Sequence, residues 1–200
     1  FRRVLFRSVF GPLSSPNQPN RLPCQSRVLG GWSPGRSAHD GVSAAARASI
    51  IMGWAGHLSL DYYRAGQRTV GHDVHQGPLR VLQRLYPEGE QVCHQVLVHP
   101  PGGLVAGDTL DLRVHLREGA HALITTPGAT RFYRSESDWA VQDTRIHLEN
   151  GARLEWLPLE TLAYPHCKGR NQVTFSLASG AQLMGWDVLA LGLPASGHLF

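Results

Sequence analysis

Eleven histidines, fifteen acids and three cysteines are the residues of this 200-residue chain that could hold a metal or move a proton. Their spacing argues against a structural zinc site. His72 and His75 stand three apart, Cys93 adjoins His94 and His166 adjoins Cys167, but no Cys-x2-Cys or His-x3-His pair occurs. Neighbours on an extended strand point to opposite faces, so neither Cys-His pair chelates one ion without a turn. His115, His121 and His147 fall in alternating runs and read as residues of a solvated face. There is no Gly-x-Ser-x-Gly elbow, and no Ser/His/Asp arrangement is legible from spacing. The sparse, odd cysteine set (Cys24, Cys93, Cys167) speaks for a reducing compartment over a disulfide framework.

The acids beside apolar neighbours carry more information: Asp108, Glu155, Glu160 and Asp187. Asp187 stands between Trp186 and the run Val188-Leu189-Ala190-Leu191, which reads as buried. A carboxylate there must be paired, hydrogen-bonded or turned to a watered cavity. Acids along a polar conduit, Asp108 and Asp187 foremost, suit a hard or borderline divalent cation in transit. Hydrogen bonding to loop amides is the competing role.

Two loops stand out. His99-Pro-Pro-Gly-Gly-Leu-Val-Ala-Gly-Asp108 combines two fixed φ angles with three permissive glycines and ends on a carboxylate. It is no phosphate loop, because neither a Lys-Ser/Thr pair nor a helical pattern follows. Thr125-Thr-Pro-Gly-Ala-Thr-Arg-Phe-Tyr-Arg134 offers hydroxyls, two cations and two aromatics. Arg131, Tyr133 and Arg134 there suit an oxyanion or protein-partner surface, against the plainer reading of a turn with an aromatic plug.

The elements that must position these groups are strands. Alternating apolar and polar runs bounded by Gly and Pro dominate from Met52 onward, and the one helical candidate is the short Thr130–Trp139. Three stretches repeat a pattern: Leu112 to Leu123, Thr144 to Trp156 and Val173 to Leu183, each a strand, a polar-polar-Gly turn, an Ala and a second strand. Their glycines fall at 119, 151 and 180. A hairpin-like unit at this period predicts an all-β, β-helix or solenoid-like stack with few short helices. A β-sandwich is the alternative. No apolar run is long enough to span a membrane as a helix. Residues 1–51 hold seven arginines against one acid and show no sustained period, so they read as a disordered or non-native leader. Residues 52–200 hold 12 basic and 14 acidic residues, which is no nucleic-acid signature.

Taken together, Gly77-Pro78-Leu79, Tyr86-Pro87-Glu88, Cys93-His94, the two loops, Leu154-Glu155-Trp156-Leu157-Pro158, Trp186-Asp187 and Leu191-Gly192 resemble the UreD (UreH) family of urease accessory proteins. Order and spacing agree from about Trp54 to Phe200. The chain departs at Leu159-Glu160, where the family usually has Gln, and at Leu193-Pro194, where it usually has Arg. The resemblance implies a β-helix-like, cytoplasmic, non-catalytic maturation factor, with the domain at 52–200 truncated at its C-terminus. It further implies binding to urease apoprotein and UreF, and through UreF to the GTPase UreG. No cofactor is tightly bound on this reading; Ni2+ is transient cargo on its way to the urease metallocentre. The competing class is a β-solenoid enzyme or binding module for carbohydrate, which as an enzyme needs paired carboxylates about 5–10 Å apart in an open groove.

Overall fold

A computed structural model describes residues 2–11 and 53–197 of the chain. The pattern of alternation becomes fourteen strands and one 3-10 turn, Pro194–Ser196. Strand β1 (Arg2–Phe10) precedes an opening made of the antiparallel pairs β2 (Ala55–Ala65) with β3 (Arg68–Gln76) and β4 (Arg80–Val81) with β5 (Cys93–Val98). The first repeat copy supplies β6 (Thr109–Leu116), β7 (His121–Thr125) and β8 (Thr130–Phe132). The second supplies β9 (Ala140–Leu148), β10 (Arg153–Leu157) and β11 (Thr161–Ala163), and the third β12 (Gly169–Leu177), β13 (Gln182–Gly185) and β14 (Leu189–Leu191).

These strands stack into three sheets, ordered β1-β12-β9-β6-β2-β3, β13-β10-β7-β5-β4 and β14-β11-β8. Equivalent strands of successive copies pair in parallel, as in β6 with β9, β7 with β10 and β8 with β11. Each copy is therefore one coil that visits all three sheets, and the fold is all-β and solenoid-like. The repeat unit is not a hairpin. The strands on either side of each repeat glycine enter different sheets, and Gly119, Gly151 and Gly180 turn that corner at φ of +66°, +66° and +74°. The following alanines, Ala120 and Ala152, are fully buried, because the inside of a stacked corner has room for a methyl group and little more.

Alternation explains which side of each strand is buried: in β6 every second residue from Leu110 to Leu116 is buried. These side chains join Leu58, Leu60, Tyr62, Ile124, Ile146, Leu148, Leu154, Trp156 and Phe175 in the main core. A second, smaller cluster of Phe10, Leu104, Leu110, Phe132, Ala140, Ala163 and Cys167 sits apart from it.

Three expectations are corrected. Arg2–Phe10, expected to carry no structure, is strand β1, paired antiparallel to β12. Its alternation places Phe6 edge-on against Phe175 at 5.6 Å and Phe10 against Phe132 at 5.4 Å. The rest of the expected leader, apart from Gly11, lies outside the described residues. The proposed helix at 130–139 is absent, since Thr130–Phe132 is claimed by pairing with β11. The run after Asp187 is not buried: Val188, Leu189 and Leu191 are 51%, 38% and 46% exposed. The reason is position, because β14 is the edge strand of its sheet.

Phe132 is fully buried where the second cluster meets β1 and Gly169. Phe132→Ala is expected to lower unfolding free energy by about 3–5 kcal/mol, as large aromatic truncations in packed cores do. Urea titration followed by circular dichroism measures it, and a loss under about 1 kcal/mol would show the cluster to be loosely packed.

Candidate functional site

The two apolar clusters are separated by a polar layer. Three aligned strands of the first sheet point Leu110, Gln142 and Asn171 inward from cross-strand registered positions. The side-chain amide of Gln142 donates to Asn171 Oδ1 at 3.3 Å. One step along the strand, Thr144 is fully buried and its hydroxyl has no hydrogen-bond partner. An unpartnered buried hydroxyl costs free energy unless water or a ligand reaches it.

Space for such a guest is present. Gln142, Thr144 and Asn171 line a cavity of about 240 Å3, closed by His99 and Gly103 from one loop, Thr126 and Arg131 from the other, and Asp187. Both loops noted in the sequence thus converge on one chamber. The first is held as part of the third sheet: Leu104 N–H donates to the Arg131 carbonyl at 2.7 Å, and Tyr133 N–H to the Leu104 carbonyl at 2.9 Å. Gly103 is required for this approach, because a Cβ there would run into the Tyr133 ring.

The residues singled out in the sequence separate into two groups. Asp187 and Arg131 line the chamber. Asp108 does not; its Oδ1 accepts from Trp54 N–H at 2.8 Å and its Oδ2 from Val105 N–H at 2.9 Å, so it ties the loop together. Its carboxylate bears on the chamber indirectly, through the field it exerts at His99. Tyr133 stacks on Tyr164 at 5.2 Å and 10°, and Arg134 reaches Glu136 at 2.7 Å on the surface. Glu155 is pinned by His121 at 2.9 Å. Asp108, Glu155 and Asp187, the acids that a carbohydrate-cleaving site would have to pair, therefore each have a separate partner. Gln142, Thr144 and Asn171 were missed by sequence reasoning. Aligning the copies by register would have found them, since Leu110 is replaced by Gln142 and then Asn171.

The chamber tunes its ionisable groups in opposite senses. Burial lowers the His99 pKa from 6.5, against the pull of Asp108, so the imidazole is neutral at pH 7 and free to act as a ligand. Burial raises the Asp187 carboxyl above 3.8; the hydrogen bond from the Ser8 hydroxyl at 3.5 Å works the other way. An ionised Asp187 is thus incompletely solvated. The thiols are poor metal ligands: burial raises Cys93, and pushes Cys167 up to about 11. Cys24 lies outside the described residues. Among the described residues no three His, Cys, Asp or Glu side chains stand in position to hold a metal ion. No described helix is long and apolar enough to cross a membrane.

A largely parallel β-solenoid with a chamber of mostly apolar lining, into which a few polar groups such as Gln142, Asn171 and Asp187 are set, defines a scaffold built around an interior site. Residues 55–200 match the family described as UreD urease accessory protein. The chain is 62% identical over 148 residues to the "Urease accessory protein UreD" of Leptothrix cholodnii, covering 73% of this chain and 53% of that protein. It is 61% identical over 149 residues to the protein of the same name from Polaromonas naphthalenivorans, covering 74% and 54%, and 56% identical to that of Variovorax paradoxus over the same shares. This chain belongs to the UreD family of urease accessory proteins. It spans about half the length of the curated relatives it matches.

The two pKa directions give opposite pH signatures. Because His99 is depressed in the fold, the stability it contributes is lost as pH falls below about 6.5. Asp187 is raised, so its contribution is full below 3.8 and is lost as pH rises through the folded value. Asp187→Asn is therefore expected to raise the thermal midpoint at pH 7, and His99→Asn to flatten the acid decline. Scanning calorimetry from pH 4 to pH 8 checks both. A lower midpoint for Asp187→Asn at pH 7 would contradict the electrostatic description.

Proposed function

We propose that this chain acts in urease maturation as a non-catalytic nickel-insertion subunit, and that its interior chamber is a passage for the ion. The observation that carries this is the set of polar groups in a largely apolar chamber: one half-buried carboxylate, a neutral imidazole, two amides, a buried unpartnered hydroxyl and, at its wall, the Arg131 guanidinium. Imidazole and oxygen donors suit a borderline divalent cation such as Ni2+, which here is cargo. An ionised Asp187 attracts the cation, His99 offers a lone pair, and Gln142 and Asn171 offer carbonyl oxygens in place of water. Asp108 serves by fixing the loop that presents His99. The family membership supports the maturation role and, with it, the partners: urease apoprotein, UreF and, through UreF, the GTPase UreG. GTP hydrolysis belongs to UreG on this reading, and the site of action is the cytoplasm. Arg131 serves the chamber, while Tyr133 and Arg134 remain candidates for partner contact on the outside.

In a urease activation assay, Asp187→Ala is expected to lower the nickel content of urease several-fold while pull-down of apoprotein and UreF is unchanged. Asp108→Ala should act differently, by loosening the His99–Asp108 loop and lowering stability by about 1–3 kcal/mol through loss of the ionised acceptor that holds the Trp54 and Val105 amides. Normal nickel loading by Asp187→Ala would remove the passage from the proposal and leave the partner-binding role standing.

A further inference from the structure

The outward face of the first sheet carries a second feature, apart from the chamber. Register places Ser59, Arg113, Arg145 and Thr174 in one row across β2, β6, β9 and β12. In the neighbouring row His115, His147 and Ser176 follow one another, with Arg3 of β1 next in line. These rows line an open groove of about 510 Å3. The charged groups of its lining are Arg3, Arg113 and Arg145; His115 beside them is paired with Glu149 at 2.8 Å and stands 3.5 Å from Asp61.

The carboxylates that balance these arginines stand one row away and do not saturate them. Arg113 pairs with Asp111, and its Nη1, 3.8 Å from Asp143 Oδ2, is buried without a hydrogen-bond partner, so the donors open to the groove are chiefly those of its neighbour. Arg145 reaches the same Asp143 oxygen at 2.9 Å, and its side chain is 62% exposed. Two guanidinium groups thus lie directly opposite each other on adjacent strands and share one carboxylate oxygen. Like charges in that relation repel. Guanidinium groups with spare donors are suited to carboxylate forks, and arginine clusters are a recurrent means of reading acidic segments.

We propose that this groove docks an extended acidic segment of a partner protein, laid across the strands. The dimensions agree: four strands at ~4.8 Å spacing span about 14 Å, the reach of about four extended residues. Ser59 and Thr174 stand at the two ends of the arginine row, where their hydroxyls serve the segment's backbone carbonyls. A nucleic acid fits less well, because the lining offers no Phe, Tyr or Trp side chain for a base to stack on, and its two imidazoles are packed against each other at 5.3 Å.

The test is fluorescence anisotropy with a labelled octapeptide of Asp and Glu, titrated with this chain at low and moderate salt. Binding that weakens as salt rises, and that falls at least tenfold in Arg113→Gln/Arg145→Gln, is the expected result. Arg113→Glu/Arg145→Glu should instead take a lysine octapeptide. The side chains point outward, so circular dichroism is expected to show the fold retained. Should a variant fail to fold, NMR of arginine Nε–Hε groups in the unaltered chain reads the contact directly, through peptide-induced shifts at Arg113 and Arg145. Equal peptide binding by the glutamine variant, equal binding of the lysine peptide to the unaltered chain, shifts absent from both arginines, or tighter binding of a single-stranded oligonucleotide through them would each overturn the proposal.

Discussion

Parallel backbone pairing between successive coils is the constraint on which everything else rests. A strand such as β9 has no partner within its own coil; its N–H and C=O groups are satisfied by β6 on one side and β12 on the other. Side chains at equivalent positions must then stack at the spacing of strands. Apolar stacks such as Leu116 with Leu148 build the core from repeated contacts of one kind. The same rule forces Gln142 onto Asn171 and Arg113 onto Arg145. Both the chamber and the external groove are consequences of register, one on each face of the same sheet.

The chamber illustrates how a repeat fold acquires a site. An inward position that holds leucine in one coil holds glutamine and asparagine in the next two. Nothing in the backbone changes, because the ladder continues through the substitution. The local cost is polar burial, met in part by the amide-to-amide hydrogen bond and in part by the open volume beside it. The loops then close the space, and their glycines and prolines make sense as devices for bringing backbone close to the neighbouring ring and arginine.

Much of this was legible in the sequence for physical reasons. Alternation marks one-sided burial, and three glycines at near-constant spacing mark a corner that needs positive φ, so the all-β stack could be read before any coordinates. What could not be read was which strands pair. The copies look like hairpins because a strand, a glycine turn and a strand in sequence are the same whether the second strand folds back or moves on to another sheet. The roles of Asp108 and Asp187 separated for a similar reason: one carboxylate finds two amides nearby, the other finds a half-open wall, and neither outcome is local in sequence. The apolar run from Val188 misled because hydrophobicity reports what could be buried, not whether a neighbour exists to bury it.

The two borders of the stack differ. On the side of the opening strands, the first sheet ends in β3 and the second in β4, each running against its neighbour. On the other side β1 runs against β12, but β13 and β14 follow the common direction and present bare edges among the described residues. Met184, Trp186, Val188 and Leu191 project there, each at least 46% exposed. Of the six sheet borders among the described residues, β1, β3 and β4 run against their neighbours, while β13, β14 and β8, the last bridged by Leu104, follow the common direction. Among the described residues, exposed apolar side chains thus gather along the very edges whose backbone runs in the common direction of the stack.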